Sequence, residues 1–128
     1  MPTDIFLPAE KDKPEVDFRF SQHHLTLRGE SYPENAAAFY GPLLAALQDY
    51  LDGCQNAAIT VDVDLVYFNS SSTKMLLNLF ERLNEAAEAG NAVTLNWHFD
   101  AEDETVREFG DDLAEDYTAL NYCPVVKE

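Results

Sequence analysis

The sequence predicts an α/β domain, with a mixed sheet of about four to five strands packed with about three helices. Two alternating segments, Ala58–Tyr67 and Ala92–Phe99, carry the strand signal. Between and after them, apolar residues recur every three or four positions, the helical period. The length, 128 residues with 46% hydrophobic content, suits one domain with its own core.

Residues 1–15 contain Pro2, Pro8 and Pro14 among mixed charges. They read as a flexible N-terminal arm, with Ile5-Phe6-Leu7 the apolar piece available to pin it to the body of residues 16–128. Asp17–Phe20 and Leu25–Leu27 alternate apolar and polar residues and predict a hairpin. Ser31 and Glu34 have the capping-box spacing, and Pro33 suits a first turn, so a helix is expected from about Pro33 to Leu51. Its stripe is Phe39, Leu43, Leu47 and Leu51 with Tyr40 and Leu44 beside it, and Gly53 is placed to stop it.

In Ala58–Tyr67 the residues Ile59, Val61, Val63 and Leu65 point one way, and Thr60, Asp62 and Asp64 the other. A second helix starts around Asn69–Ser72, buries Leu76, Leu79, Phe80, Leu83 and Ala87, and ends at Gly90. Ala92–Phe99 turns Val93, Leu95 and Trp97 to one face. Asp103–Asp116 reads as a third helix with Val106, Phe109, Leu113 and Tyr117 inward, and Tyr122–Val126 as a final edge strand. Strands alternating with helices favour parallel central strands joined by right-handed crossovers.

Charge excludes some partners. Eight Lys and Arg against 24 Asp and Glu give a formal net charge of −16. Nucleic acid and anionic membrane both need cations to displace their counterions, so neither is an expected partner. The start of the chain has no basic, long-apolar leader, and Cys54 and Cys123 lack a CxxC spacing. Both features predict a cytoplasmic protein with reduced thiols.

The chemistry-bearing segment is Tyr67-Phe68-Asn69-Ser70-Ser71-Ser72-Thr73-Lys74. It sets four consecutive hydroxyls where a core strand hands over to a helix. A serine there either caps the helix or offers a hydroxyl to a phosphoryl group, whose charge the helix dipole tolerates. Asp62 and Asp64 share a strand face but lack a third ligand at a recognisable spacing, so no metal site is expected. His23 and His24 read as hairpin residues, and His98 as a polar strand position. No GxSxG, GxxxxGK[ST] or GxGxxG is present. The stretch Asp100–Asp116 holds nine acids and one base, Arg107, half the formal net charge of the chain. It reads as a solvated face or as a docking surface for a basic partner.

The segments Gly29-Glu30-Ser31-Tyr32-Pro33-Glu34-Asn35, Tyr67 to Leu76, and Trp97-His98-Phe99-Asp100 with the acidic helix after it resemble the SiaC family of bacterial regulatory phosphoproteins. The resemblance runs from about residue 16 to 124 and implies a single STAS-like domain, similar to anti-sigma factor antagonists. It implies reversible phosphorylation on the hydroxyl after the central Asn, which here is Ser70, with Ser71 and Ser72 as alternates. It further implies a dedicated serine/threonine kinase and a metal-dependent phosphatase of the PP2C type. The regulated partner it implies is a diguanylate cyclase, bound and activated by the unmodified form, within cyclic-di-GMP signalling and biofilm regulation. No cofactor and no enzymatic activity are expected. Glu30, Ser31, Tyr32, Asn69, Ser70, Ser71, Ser72 and Lys74 are the expected partner-facing residues. Two readings compete: an acidic interaction module indifferent to phosphorylation, and a hydrolase pairing a clustered serine with His24 or His98.

Overall fold

The computed structural model describes residues 2–127. Met1 of the expected arm and Glu128 of the expected body lie outside the described residues. The strands are β1 (Ile5–Leu7), β2 (Glu15–Arg19), β3 (His24–Ser31), β4 (Ala58–Phe68), β5 (Ala92–Asp100) and β6 (Asn121–Lys127). The helices are α1 (Ala36–Asp52), α2 (Ser70–Glu88) and α3 (Glu104–Asp116), with a 3-10 turn over Phe20–Gln22.

All six strands form one sheet in sequence order. β1–β2 and β2–β3 pair antiparallel, while β3 to β6 pair parallel. The three crossovers step the same way across the sheet, so right-handed connections place every helix on one face. The strand residues on that face are buried: Val16, Phe18, Leu25, Leu27, Ile59, Val61, Val63, Leu65, Val93, Leu95 and Trp97. Among the described residues, the other face carries no helix.

The strand count exceeds the expected four to five by the short β1. Three residues between prolines carry too little periodicity to be read as a strand, yet Ile5↔Phe18 and Leu7↔Val16 pair in register. The tail does form the expected edge strand. α1 departs from expectation at its start. Ser31 stays in β3, and Asn35 caps the helix by accepting from Ala38 N at 3.0 Å. Asn equals Ser as a cap, and the Ser31 hydroxyl is engaged elsewhere. α2 ends as expected, with Gly90 at φ +112° just beyond it, a conformation that favours glycine. α3 is capped by Asp103, which accepts from Val106 N at 3.1 Å. Among the described residues, no helix is long and apolar enough to cross a membrane, and both cysteines are free thiols.

Candidate functional site

The parallel pairing of β3 with β4 brings the two sequence motifs together. Ser31 lies opposite Phe68, and Asn69 N donates to Ser31 O at 3.0 Å. Here β4 carries a bulge: Gly29 pairs with Leu65 but Glu30 pairs with Tyr67, so Val66 is the extra residue. The pleat changes phase at that point. Leu65 faces the helices, Val66 and Tyr67 both face outward at 50% and 52% exposure, and Phe68 faces the helices again. Gly29 supports the irregularity with φ +117°.

α2 begins directly after the bulge. Its cap is Asn69, whose side chain accepts from Ser72 N at 2.9 Å. None of the serines caps the helix. Ser72 is wholly buried and accepts from Ser31 Oγ at 2.8 Å. Ser31 in turn is 2.6 Å from Tyr40 Oη. With its own proton given to Ser72, Ser31 accepts from the tyrosine. Burial pushes the Tyr40 phenol up to about 12, the Ser31 bond offsetting it in part, so the phenol stays a proton donor. Ser31 and Ser72 are therefore corrected from partner-facing residues to internal ties between β3, α1 and α2, because neither presents surface.

The rest of the predicted set converges on one end of the sheet. Glu30, Ser70, Ser71 and Lys74 are exposed, and Tyr32 and Asn69 are half-buried. Ser70 and Ser71 make no side-chain hydrogen bond among the described residues. As the first two residues of α2, they leave their amides without helical acceptors, which favours a negative group there. The Tyr32 and Tyr67 rings meet edge to face, 5.8 Å between centroids.

Sequence reasoning missed two features. The exposed Val66–Tyr67 pair was hidden because alternation alone puts Tyr67 inward; the signal was a glycine inside a neighbouring strand, which marks bulges. The other is on the uncovered face. Asp62 accepts from His24 Nε2 (2.6 Å), His98 Nε2 (2.9 Å) and Asn96 Nδ2 (3.1 Å). Burial raises its carboxyl, but the bonds from His98, His24 and Asn96 outweigh that and hold it below the usual value. His23 is bonded to Tyr50. All three histidines are thus engaged away from the serines, so neither His24 nor His98 pairs with a clustered serine as the hydrolase reading expects. Among the described residues, no group of three or more His, Cys, Asp or Glu side chains is arranged to hold a metal ion.

A one-sided α/β sheet with exposed hydroxyls at a helix start defines the class, a small three-helix α/β domain. The chain belongs to the SiaC family: residues 7–125 match the family described as SiaC family regulatory phosphoprotein. An uncharacterized protein of Pseudomonas aeruginosa (strain UCBPP-PA14) is 30% identical over 114 residues, covering 89% of this chain and 90% of its own length. A chain in the crystal structure of diguanylate cyclase SiaD in complex with its activator SiaC, from Pseudomonas aeruginosa, is 27% identical. It superposes with a TM-score of 0.89 over 97% of this chain and 100% of that one. SiaC of Pseudomonas aeruginosa is 25% identical, with a TM-score of 0.83 over 98% of both chains.

Proposed function

We propose that this protein is a non-enzymatic cytoplasmic adaptor that binds and activates a diguanylate cyclase while Ser70 is unmodified, and releases it when Ser70 carries a phosphoryl group. The observation that carries the reading is an exposed, unbonded hydroxyl at the first position of α2, one strand end away from two exposed apolar residues. A serine/threonine kinase transfers the γ-phosphoryl group of ATP to Ser70 Oγ and releases ADP. A phosphatase of the PP2C type returns serine and inorganic phosphate by hydrolysis.

The physical logic has two sides. Inside the domain, a phosphate on Ser70 meets free amides and the positive end of the α2 dipole, which favours it by about 0.3–1 kcal/mol. Against a docked partner, the same dianion must shed water beside Tyr67 and Tyr32, at a cost of several kcal/mol when no cation compensates. The fold therefore tolerates the group and the interface does not. Ser71 is the other exposed acceptor, whereas Ser72 is sealed inside.

The test is phosphosite mapping by mass spectrometry after incubation with the kinase and ATP, together with cyclase output. One phosphate on Ser70, no labelling of Ser70→Ala, and loss of cyclase stimulation on phosphorylation are expected. Equal labelling of Ser70→Ala, or undiminished stimulation by the phosphoprotein, overturns the proposal.

A further inference from the structure

Val66, exposed at the bulge, borders a shallow, open groove. Val66, Asp100, Glu102, Asp103, Glu104 and Lys127 line a space of about 650 Å³ between the ends of β4, β5 and β6 and the loop into α3. Four carboxylates face one ammonium there, and Lys127 Nζ is already bonded to Asp64 at 2.6 Å. One oxygen of Asp100 accepts from Glu102 N, and one of Asp103 from Val106 N. Glu102 and Glu104, with the second oxygens of both aspartates, make no side-chain hydrogen bond among the described residues.

The apolar side of the groove continues toward Ser70. Val66 is followed by Tyr67, and Tyr67 packs on Tyr32, so three residues make one ridge from the acidic groove to the start of α2. The two ends of the ridge differ in charge. Lys74 lies in the first turns of α2 beside Ser70, while the groove end is acidic. The middle of the uncovered face is a poor rival, because the His24–Asp62–His98 cluster and the Asp64–Lys127 pair satisfy one another.

Resting on the adaptor reading above, we infer that the ridge and groove together are the docking surface for a protein segment whose apolar side chains are flanked by Arg or Lys. Its apolar residues cover Tyr32, Tyr67 and Val66, and its cations enter the groove at Asp100–Glu104. Charge complementarity selects this occupant: a neutral or acidic segment laid on Val66 leaves the groove carboxylates to be desolvated without a partner. The two parts have separate effects. Burial of the ridge governs how long the complex lasts, and the groove governs how fast it forms. The arrangement also fixes how phosphate acts. Added negative charge does not repel a basic segment, so release at Ser70 requires that the partner's cations stay in the groove, away from Ser70, and leave the dianion to be dehydrated beside the tyrosines.

The test measures association and dissociation rates of the full chain with the diguanylate cyclase of the same organism, across a salt series. Three variants are compared with the parent: Val66→Ser, the double Glu102→Gln/Glu104→Gln, and the control Asp111→Asn/Asp112→Asn, which removes equal charge from exposed positions farther along α3. Circular dichroism and thermal melting confirm that each is folded. Val66→Ser is expected to speed dissociation about tenfold. The glutamine pair is expected to slow association roughly threefold or more at low salt and to flatten the salt dependence, with dissociation little changed. The control should match the parent. Parent binding with unchanged rates in both test variants overturns the docking surface alone. Equal slowing by the control overturns the groove. A parent that does not bind the cyclase overturns the adaptor reading itself. A parent that dimerises in sedimentation, with Val66→Ser monomeric, gives the ridge to a second copy and overturns the proposed occupant.

Discussion

α1 and α2 are capped in the same way and differ in the first turn beyond the cap. Asn35 accepts from Ala38 N at 3.0 Å, and Asn69 accepts from Ser72 N at 2.9 Å. Each Asn carbonyl also receives the amide four residues on, from Phe39 and Thr73. After Asn35 come Ala36-Ala37-Ala38; after Asn69 come Ser70-Ser71-Ser72. α1 shows that such a start needs no hydroxyls. The three serines of α2 are therefore surplus to capping, and the fold uses just one of them, Ser72, as an internal tie. Ser70 and Ser71 remain outside, bonded to nothing among the described residues.

The comparison breaks most readily at Ser72. Ser72→Ala removes the acceptor of Ser31 and leaves one hydroxyl proton of the Tyr40–Ser31 pair without a partner. A loss of about 1–3 kcal/mol in urea unfolding is expected, whereas Ala38→Ser at the matching exposed position of α1 should stay within about 0.5 kcal/mol of the parent. A loss from Ser72→Ala no larger than that from Ala38→Ser contradicts the internal tie.

A smaller, symmetric effect sharpens the comparison. Asn35→Ala and Asn69→Ala should each cost about 1 kcal/mol, because the caps are alike. Markedly unequal losses mean that the serines share the capping at α2. Ser70→Ala and Ser71→Ala should each change stability by less than about 0.5 kcal/mol. A larger loss gives either hydroxyl a structural role that α1 says it lacks.

The smallest expected change lies on the uncovered face. The Asp62 carboxyl is held below its ordinary value in the folded chain. Its contribution to stability is therefore full above the unfolded pKa of about 3.9 and fades as pH falls through the folded value. Asp62→Asn should flatten the acid limb of the stability profile below about pH 4. An identical acid limb in the variant denies the His24–Asp62–His98 cluster any part in acid stability.

Much of the scaffold was legible because it is local. The alternation of Ile59, Val61, Val63 and Leu65 and the stripe of Leu76, Leu79, Phe80 and Leu83 are written within single elements. The hydroxyl run after Asn69 was legible as a motif, but the choice of Ser70 within it rests on the family resemblance, since Ser71 is exposed beside it. The hidden features join elements far apart in the chain. Ser31 meets Ser72 across 41 positions, and His24 meets Asp62 across 38. A serine spaced like a cap is indistinguishable in sequence from one that remains in a strand, so Ser31 was misassigned. The bulge at Val66 escaped because it depends on the register between β3 and β4, which neither strand encodes alone.

Affinity of the full chain for the diguanylate cyclase, measured by calorimetry with unmodified protein and with protein stoichiometrically phosphorylated on Ser70, tests the central claim most directly. Binding by the first and its loss by at least about 100-fold in the second is the predicted result, the equivalent of the few kcal/mol needed to dehydrate a phosphate beside Tyr67. Equal affinity of the two forms would contradict it.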